Sequence, residues 1–404
     1  MPGNPRKQVT TMDEFDFDEV IDRRGRSTYK YGKCPEVFGS DDPDLLPLWV
    51  ADMDFRTPKP VADCLRGLCD HGVFGYTIPP ASYYEAIQGW LERLHGWRVP
   101  VSSIAFSPGV ITGFAGAIDA LTRPDDKILI NEPVYPPFHA VPERLGRAVT
   151  VNPLRLHGER YEIDFDLLDH QLADGVKAYL LCNPHNPGGR CWTRGELTRI
   201  AELCERHGVL LLSDEIHADM VLWGGEHTPM ASVSPWAALH TVTFMAPSKV
   251  FNMPGLLSAF YVCESKEMKS ALDAWMLRYH LSGGNTLAYL AAETAYRQCG
   301  AWREAMLRYV EGNLRYLERA FTEAGVPIHP VLPDASFLVW LDCRSLNLKG
   351  RSLRDFFIGD AKVALNIGTT FGQGGKGFMR LNAATPRANL EEAVRRVAAA
   401  YKRL

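Results

Sequence analysis

Short runs of consecutive apolar residues alternate along this chain with stretches in which apolar positions recur every three or four residues. The runs at 128–130, 178–181, 209–212, 242–245 and 259–262 are too short for helices and too continuously apolar for strands with one wet face, so they read as buried strands. Between them, stretches such as 84–94 and 197–206 carry helical periodicity. This alternation predicts an α/β fold with a mainly parallel sheet covered by helices on both faces. Ligands of such sheets sit beyond the carboxyl ends of the strands. After a long helical stretch at 287–324 the pattern changes. Segments 327–331, 336–341 and 378–381 predict a second, smaller sheet closed by a last helix over 390–401. No repeat or low-complexity region interrupts the plan.

Composition narrows the classes. A chain of 404 residues that is 46% hydrophobic can bury two cores, and a formal charge of −4 favours neither nucleic acid nor an anionic membrane as partner. The nine cysteines are odd in number and without a CxxC pair, and Cys182, Cys204 and Cys263, in apolar runs, look like small buried hydrophobes of a reducing compartment. The twelve histidines show no metal-ligand spacing, so no metal is expected. No signal peptide and no span of 18 apolar residues is expected, and the first seven residues read as a disordered arm. The reading is a soluble cytoplasmic enzyme.

Candidate chemistry concentrates at the strand ends. The run 210–212 leads into Ser213-Asp214-Glu215-Ile216-His217, and Ser248-Lys249 follows the run 242–245, with Lys249 standing 35 positions beyond Asp214. A carboxylate and an amine at two such ends can reach opposite sides of one flat cofactor, and together they suggest pyridoxal 5'-phosphate (PLP). Its aldehyde is held by a lysine as a Schiff base, and its ring nitrogen draws electrons only while protonated, which a carboxylate partner enforces. Such an aspartate stays ionised because the pyridinium charge offsets its desolvation. Asp214 fits the pyridinium partner and Lys249 the Schiff base.

Four further elements support this pair. Ser107-Pro108-Gly109-Val110-Ile111-Thr112-Gly113 is a strand-to-helix turn of small residues whose backbone N–H groups can receive phosphate oxygens. Asn131-Glu132-Pro133-Val134-Tyr135-Pro136-Pro137-Phe138 presents Tyr135 on a proline-stiffened turn, where it can stack on a planar ring. Cys182-Asn183-Pro184-His185-Asn186-Pro187 is a turn at a strand end, and an asparagine there can donate to the phenolic oxygen of the cofactor; Asn183 and Asn186 fit equally. Gly377-Phe378-Met379-Arg380-Leu381-Asn382 sets a guanidinium, the preferred partner of an α-carboxylate, inside an apolar strand-like run. Each residue also has an ordinary reading. Lys249 can be a solvated strand end, Asp214 a cap, Tyr135 loop packing, Arg380 an edge-strand arginine and His217 a core histidine. The ordered set carries the argument.

That set, together with Pro47-Leu48-Trp49-Val50-Ala51-Asp52-Met53-Asp54-Phe55, Phe74-Gly75-Tyr76-Thr77 and Val250-Phe251-Asn252-Met253-Pro254-Gly255-Leu256 after Lys249, resembles the class I/II aminotransferase-fold family of PLP enzymes. More narrowly it resembles the cystathionine β-lyase or C–S lyase branch, from about Phe15 onward. The resemblance implies a PLP-dependent transferase-like α/β fold (fold type I). Residues 1–55 would be an N-terminal segment joining the small domain. Residues 56–290 would be a large domain with a mainly parallel, seven-stranded type of sheet, and 291–404 a smaller α+β domain. It implies Lys249, Asp214 and Tyr76 as catalytic residues, with Tyr76 reaching the phosphate of the neighbouring subunit, so that the active unit is a homodimer. Gly109, Val110 and Ile111 would offer amides to the phosphate beside the Ser248 hydroxyl. Asn186, Tyr135 and His217 would contact the cofactor, and Arg380, Asn186 and Trp49 the substrate.

Departures from the aminotransferase pattern shape the expected reaction. Leu257 stands eight residues after Lys249, where aminotransferases commonly place a phosphate-anchoring arginine, and His217 replaces a frequent tyrosine; both resemble the lyase branch. Ala246, in place of a phosphate-binding hydroxyl, and the segment Tyr279-His280-Leu281-Ser282-Gly283-Gly284-Asn285 do not. The expectation is α,β-elimination from an L-cysteine S-conjugate or L-cystathionine to thiol, pyruvate and ammonia, with Lys249 removing the α-proton. The alternatives are an aminotransferase, a decarboxylating or oxidatively deaminating enzyme acting on an S-cysteinyl natural-product intermediate, and a regulatory protein that keeps the fold.

Overall fold

The computed structural model describes residues 15–404, so the arm expected over the first seven residues lies outside the described residues. Helices α1 (Lys59–His71) and α2 (Ala81–His95) precede a seven-stranded sheet. Its strands are β1 (Ile104–Ser107), β2 (Lys127–Glu132), β3 (Ala148–Pro153), β4 (Val176–Cys182), β5 (Leu210–Asp214), β6 (Thr241–Met245) and β7 (Ala259–Val262), in spatial order β1-β7-β6-β5-β4-β2-β3. All neighbouring pairs are parallel except those of β7, which runs antiparallel to both β1 and β6.

The continuous apolar runs are explained by burial on both faces. Leu129, Tyr179, Leu181 and Leu211 pack with Leu197, Ile200 and Cys204 of helix α4 (Arg194–His207). The alternate positions Ile128, Ile130, Leu180 and Leu212 pack with Phe114 and Ile118 of helix α3 (Val110–Leu121). Period-two alternation thus feeds two cores from the same strands.

Beyond the sheet, helix α5 (Lys266–Arg278) packs on α3, and the stretch at 287–324 is two helices rather than one, α6 (Thr286–Gln298) and α7 (Gly300–Glu323). Cys299 closes the first and caps the second, and Gly300 follows it directly. The smaller sheet has strands β8 (His329–Val331), β9 (Leu338–Asp342), β10 (Asn366–Ile367) and β11 (Phe378–Asn382), wholly antiparallel in the order β8-β9-β11-β10. Helix α8 (Arg387–Lys402) covers it, three residues longer at its start than the periodicity predicts.

The loop from β10 to β11 determines where β11 sits. A Cβ on Gly375 would lie 1.9 Å from the Gly368 carbonyl oxygen, backbone against backbone. Gly375→Ala should therefore cost about 1–3 kcal/mol, read as a lowered midpoint of denaturant unfolding. Gly195→Ala, whose added Cβ meets open space in α4, should leave the midpoint unchanged or raise it slightly.

Candidate active site

The carboxyl ends of β1, β2, β4, β5 and β6 face the small sheet across a cavity of ≈ 680 Å³. Every site residue named from the sequence lines it, except Tyr76 and the alternative asparagine Asn183.

One end of the cavity is the start of α3. Gly109, the N-cap, is extended and supplies no side-chain cap, so the first-turn amides have no partner from the helix or its cap. Glycine at 113 lets this helix lie against β6, because a Cβ there would stand 2.7 Å from the Phe244 ring. The helix dipole makes this end an anion site. Thr112, not singled out in the sequence, lines it too.

Asp214 closes β5 and lines the same cavity. Its carboxylate accepts the Ile216 N–H at 3.1 Å, and burial raises its pKa to about 7, helped by Glu215 and opposed by the Ile216 bond and Lys249. His217 is buried and held neutral, its pKa pushed down to about 3 by burial and by Lys249 and Arg380; its Nδ1 has no hydrogen-bond partner.

Lys249 sits in the helical turn Pro247–Val250, lines the cavity as well, and donates from Nζ to the Ala51 carbonyl at 2.6 Å. Burial brings its pKa from 10.5 to about 8, with Arg380 lowering it further and Asp52 and Asp214 opposing. A backbone carbonyl from residue 51 has no sequence signature, and this contact was not foreseen.

Arg380, on β11 opposite Asn366, is 4% exposed. It donates to the Asn186 Oδ1 at 3.0 Å, the Trp49 carbonyl at 3.2 Å and the Asn366 Oδ1 at 2.7 Å, while its Nε has no partner. Among the described residues no carboxylate comes within ion-pair distance of this guanidinium, and burial lowers its pKa to about 10. Asn366 was missed because a two-residue strand carries no periodicity. The structure places the two candidate asparagines differently. Asn183 turns away and donates to the Thr228 carbonyl at 3.1 Å, whereas Asn186 lines the cavity against Arg380. Tyr135 lines the wall, its backbone N–H bonded to the Asn186 carbonyl, and Tyr29 is a further aromatic wall that the sequence reading did not name.

Tyr76 lies in the irregular stretch 72–80 at 113% relative exposure, beside exposed Val73, Phe74 and Ile78. It does not line its own chain's cavity.

This donor set fits PLP: uncapped helix amides for a phosphate, a buried carboxyl for a ring nitrogen, and an amine, all lining one cavity. Fold and site define a PLP-dependent enzyme of fold type I. Residues 70–397 match the family model for aminotransferase class I and II, and the chain belongs to that family. It is 42% identical over 388 residues to cystathionine β-lyase PatB of Bacillus subtilis, covering 96% of this chain and 100% of that one. A PLP-bound putative aminotransferase from Clostridium difficile superposes with a TM-score of 0.93 at 37% identity over 96% of this chain and 100% of that one. Cystalysin from Treponema denticola, which contains pyridoxal 5'-phosphate, gives 0.92 at 31% identity over 96% and 99%.

The Asp214 carboxyl makes a sign prediction for the apoprotein. Folding raises its pKa from 3.8 to about 7, so the stability carried by the neutral acid is fully present below the unfolded value and is lost as pH rises through the folded one. Asp214→Asn removes the buried charge. Its apoprotein should melt above the wild-type apoprotein by a margin that widens from about pH 4 to about pH 7 and then holds, while binding PLP more weakly; calorimetry across pH checks this.

Proposed function

We propose that the protein is a PLP-dependent carbon–sulfur β-lyase that splits an L-cysteine S-conjugate or L-cystathionine into a thiol, pyruvate and ammonia. The observation that carries the reading is the pairing of Arg380, a buried guanidinium with no carboxylate partner, with Lys249, a half-buried amine whose pKa is brought down to about 8, in one cavity. The name of the Bacillus subtilis relative supports the lyase choice, as does Leu257 in place of a phosphate-anchoring arginine.

Bound PLP supplies an aldehyde that holds the substrate amine and a protonated ring that draws electrons from the α-carbon. Arg380 would grip the α-carboxylate, whose arrival offsets the cost of burying the guanidinium. Lys249, with a pKa near working pH, would take the α-proton at Nζ as general base. Asp214 would accept the ring N–H, its ionised form restored by that positive charge. Tyr135 would stack on the ring and Asn186 would face its phenolic oxygen. Gly109, Val110, Ile111 and the Ser248 hydroxyl would hold the phosphate. His217 would stay neutral beside the ring, and Trp49 would support the carboxylate site through its carbonyl.

The active unit in this reading is a homodimer in which Tyr76 reaches the partner's phosphate. The exposed apolar stretch around it is the kind of surface a second copy covers. The reading keeps 1–55 as a joining segment, 56–290 as the cofactor domain and 291–404 as the small domain, a division supported by the two separate sheets. Nine unbridged cysteines support a reducing, cytoplasmic setting, and among the described residues no helix is long and apolar enough to cross a membrane.

Incubating the PLP-loaded protein with S-alkyl cysteines and L-cystathionine should give pyruvate, ammonia and thiol in equal amounts without any added keto acid. Glutamate formed only when 2-oxoglutarate is present would move the protein to the aminotransferases. Lys249→Ala should lower turnover by more than about 1,000-fold. Tyr76→Ala should also be severely impaired. Mixing unfolded and refolded Tyr76→Ala and Lys249→Ala chains should recover about a quarter of wild-type activity, because half the dimers are hybrid and each hybrid has one intact site. No recovery in the mixture would remove Tyr76 from the partner's site.

A further inference from the structure

Next to the cavity, on the N-terminal side, lies a four-charge cluster with no part in the reaction described so far. Lys30, wholly buried in the helical turn Tyr29–Gly32, places Nζ 2.8 Å from the Asp54 Oδ1, 3.0 Å from the Asp52 Oδ1 and 2.9 Å from the Asp52 carbonyl. Arg23 adds contacts of 2.6 Å to the Asp52 Oδ2 and 2.8 Å to the Asp54 Oδ1. Two cations thus meet two anions, and the cluster is neutral as a whole. Burying Lys30 and Asp54, with Arg23 and Asp52 half-buried beside them, is more than is needed to fasten a loop that Asn252 and Asn382 already fasten through six hydrogen bonds between them and the backbone.

What the cluster does hold is the Ala51 carbonyl, the acceptor of the Lys249 amine at 2.6 Å, one residue before Asp52. We infer that Lys30 and Asp52 are positioning residues for Lys249, acting through the Ala51 carbonyl and through the balance of their own charges. As a base, the Lys249 amine would need a fixed acceptor for one of its hydrogens so that its lone pair could point at the substrate α-carbon, and the Ala51 carbonyl would be that acceptor. The charges act on the same amine. Lys249 faces Asp214 and His217 from the end of β5, Arg380 from β11, and Asp52 and Lys30 from the N-terminal segment. Asp52 strengthens its hold on a proton and Lys30 weakens it. The pair therefore keeps the field at Nζ near balance while the loop is locked in place.

This rests on Lys249 being the base of the proposed reaction, and its test is built to fail separately from the elimination itself. The rate of α-proton exchange of L-alanine in D2O, which needs the base and no leaving group, would be followed against pH for the PLP-loaded protein, with the pH titration of the cofactor's visible absorbance as a second readout. Only the unprotonated amine removes a proton, so the rate rises with pH through its pKa. Asp52→Asn removes a charge that favours the protonated amine and should move the rising limb to lower pH. Lys30→Met removes a charge that disfavours it and should move the limb to higher pH, each by on the order of one unit. The double variant should return close to wild type, and Lys30→Arg should leave the limb in place. The absorbance titration should follow the same signs. Limbs that stay put, or move the same way in both single variants, would reduce the cluster to a loop clamp and overturn the inference. If Lys30→Met does not fold, the near-isosteric Asp52→Asn decides the sign alone.

Discussion

The arrangement depends on how one irregular stretch, residues 48–53, satisfies its backbone. Six consecutive carbonyls each receive a donor. Leu48 accepts from the Asn382 N–H, Trp49 from Arg380, Val50 from the Asn382 side chain and Ala51 from Lys249. Asp52 accepts from Lys30 and Asn382, and Met53 from Arg23 and Asn252. Irregular backbone packed between two sheets has no ladder to join, and unpaired carbonyls there would each cost about 1–3 kcal/mol. The donors come from both sides of the cavity, from the Lys249 turn and from β11. The bonds that allow this stretch to be buried are therefore the same bonds that fix the amine and the guanidinium relative to each other. Fold closure and site geometry cannot be separated here.

Much of this was legible in the sequence, for identifiable reasons. Strands buried on both faces leave continuous apolar runs, and so 128–130, 178–181 and 242–245 fall inside β2, β4 and β6. Residues that must end a strand at the cofactor side sit next to those runs, which made Asp214 and Lys249 visible and brought Arg380 with them. Contacts made by backbone atoms left no trace. The Ala51 carbonyl depends on a partner 198 residues away, and any side chain at 51 would offer the same oxygen. Asn366 sits in a strand too short to show a period, and Asn183 and Asn186 share one motif and differ only in where the turn points them. The antiparallel course of β7 is equally silent, since a buried strand reads the same in either direction.

Burial of charge ties stability to function in this cavity. Lys249 and Arg380 are driven toward their neutral forms and Asp214 toward its acid form, each chiefly by desolvation. The fold holds these groups mainly through hydrogen bonds to carbonyls, amides and side-chain amide oxygens rather than through close ion pairs, and that leaves each short of a full counter-charge. A pyridinium for Asp214, a carboxylate for Arg380 and a phosphate for the α3 amides would supply those counter-charges. Each would bind with the free energy that the unliganded fold gives up, and would stabilise the folded state by the same linkage. An apolar pocket of equal volume would be more stable empty and would bind none of them. In the proposed reading, the desolvation that weakens the unliganded protein would be the source of its selectivity for a cofactor and substrate carrying those three charges.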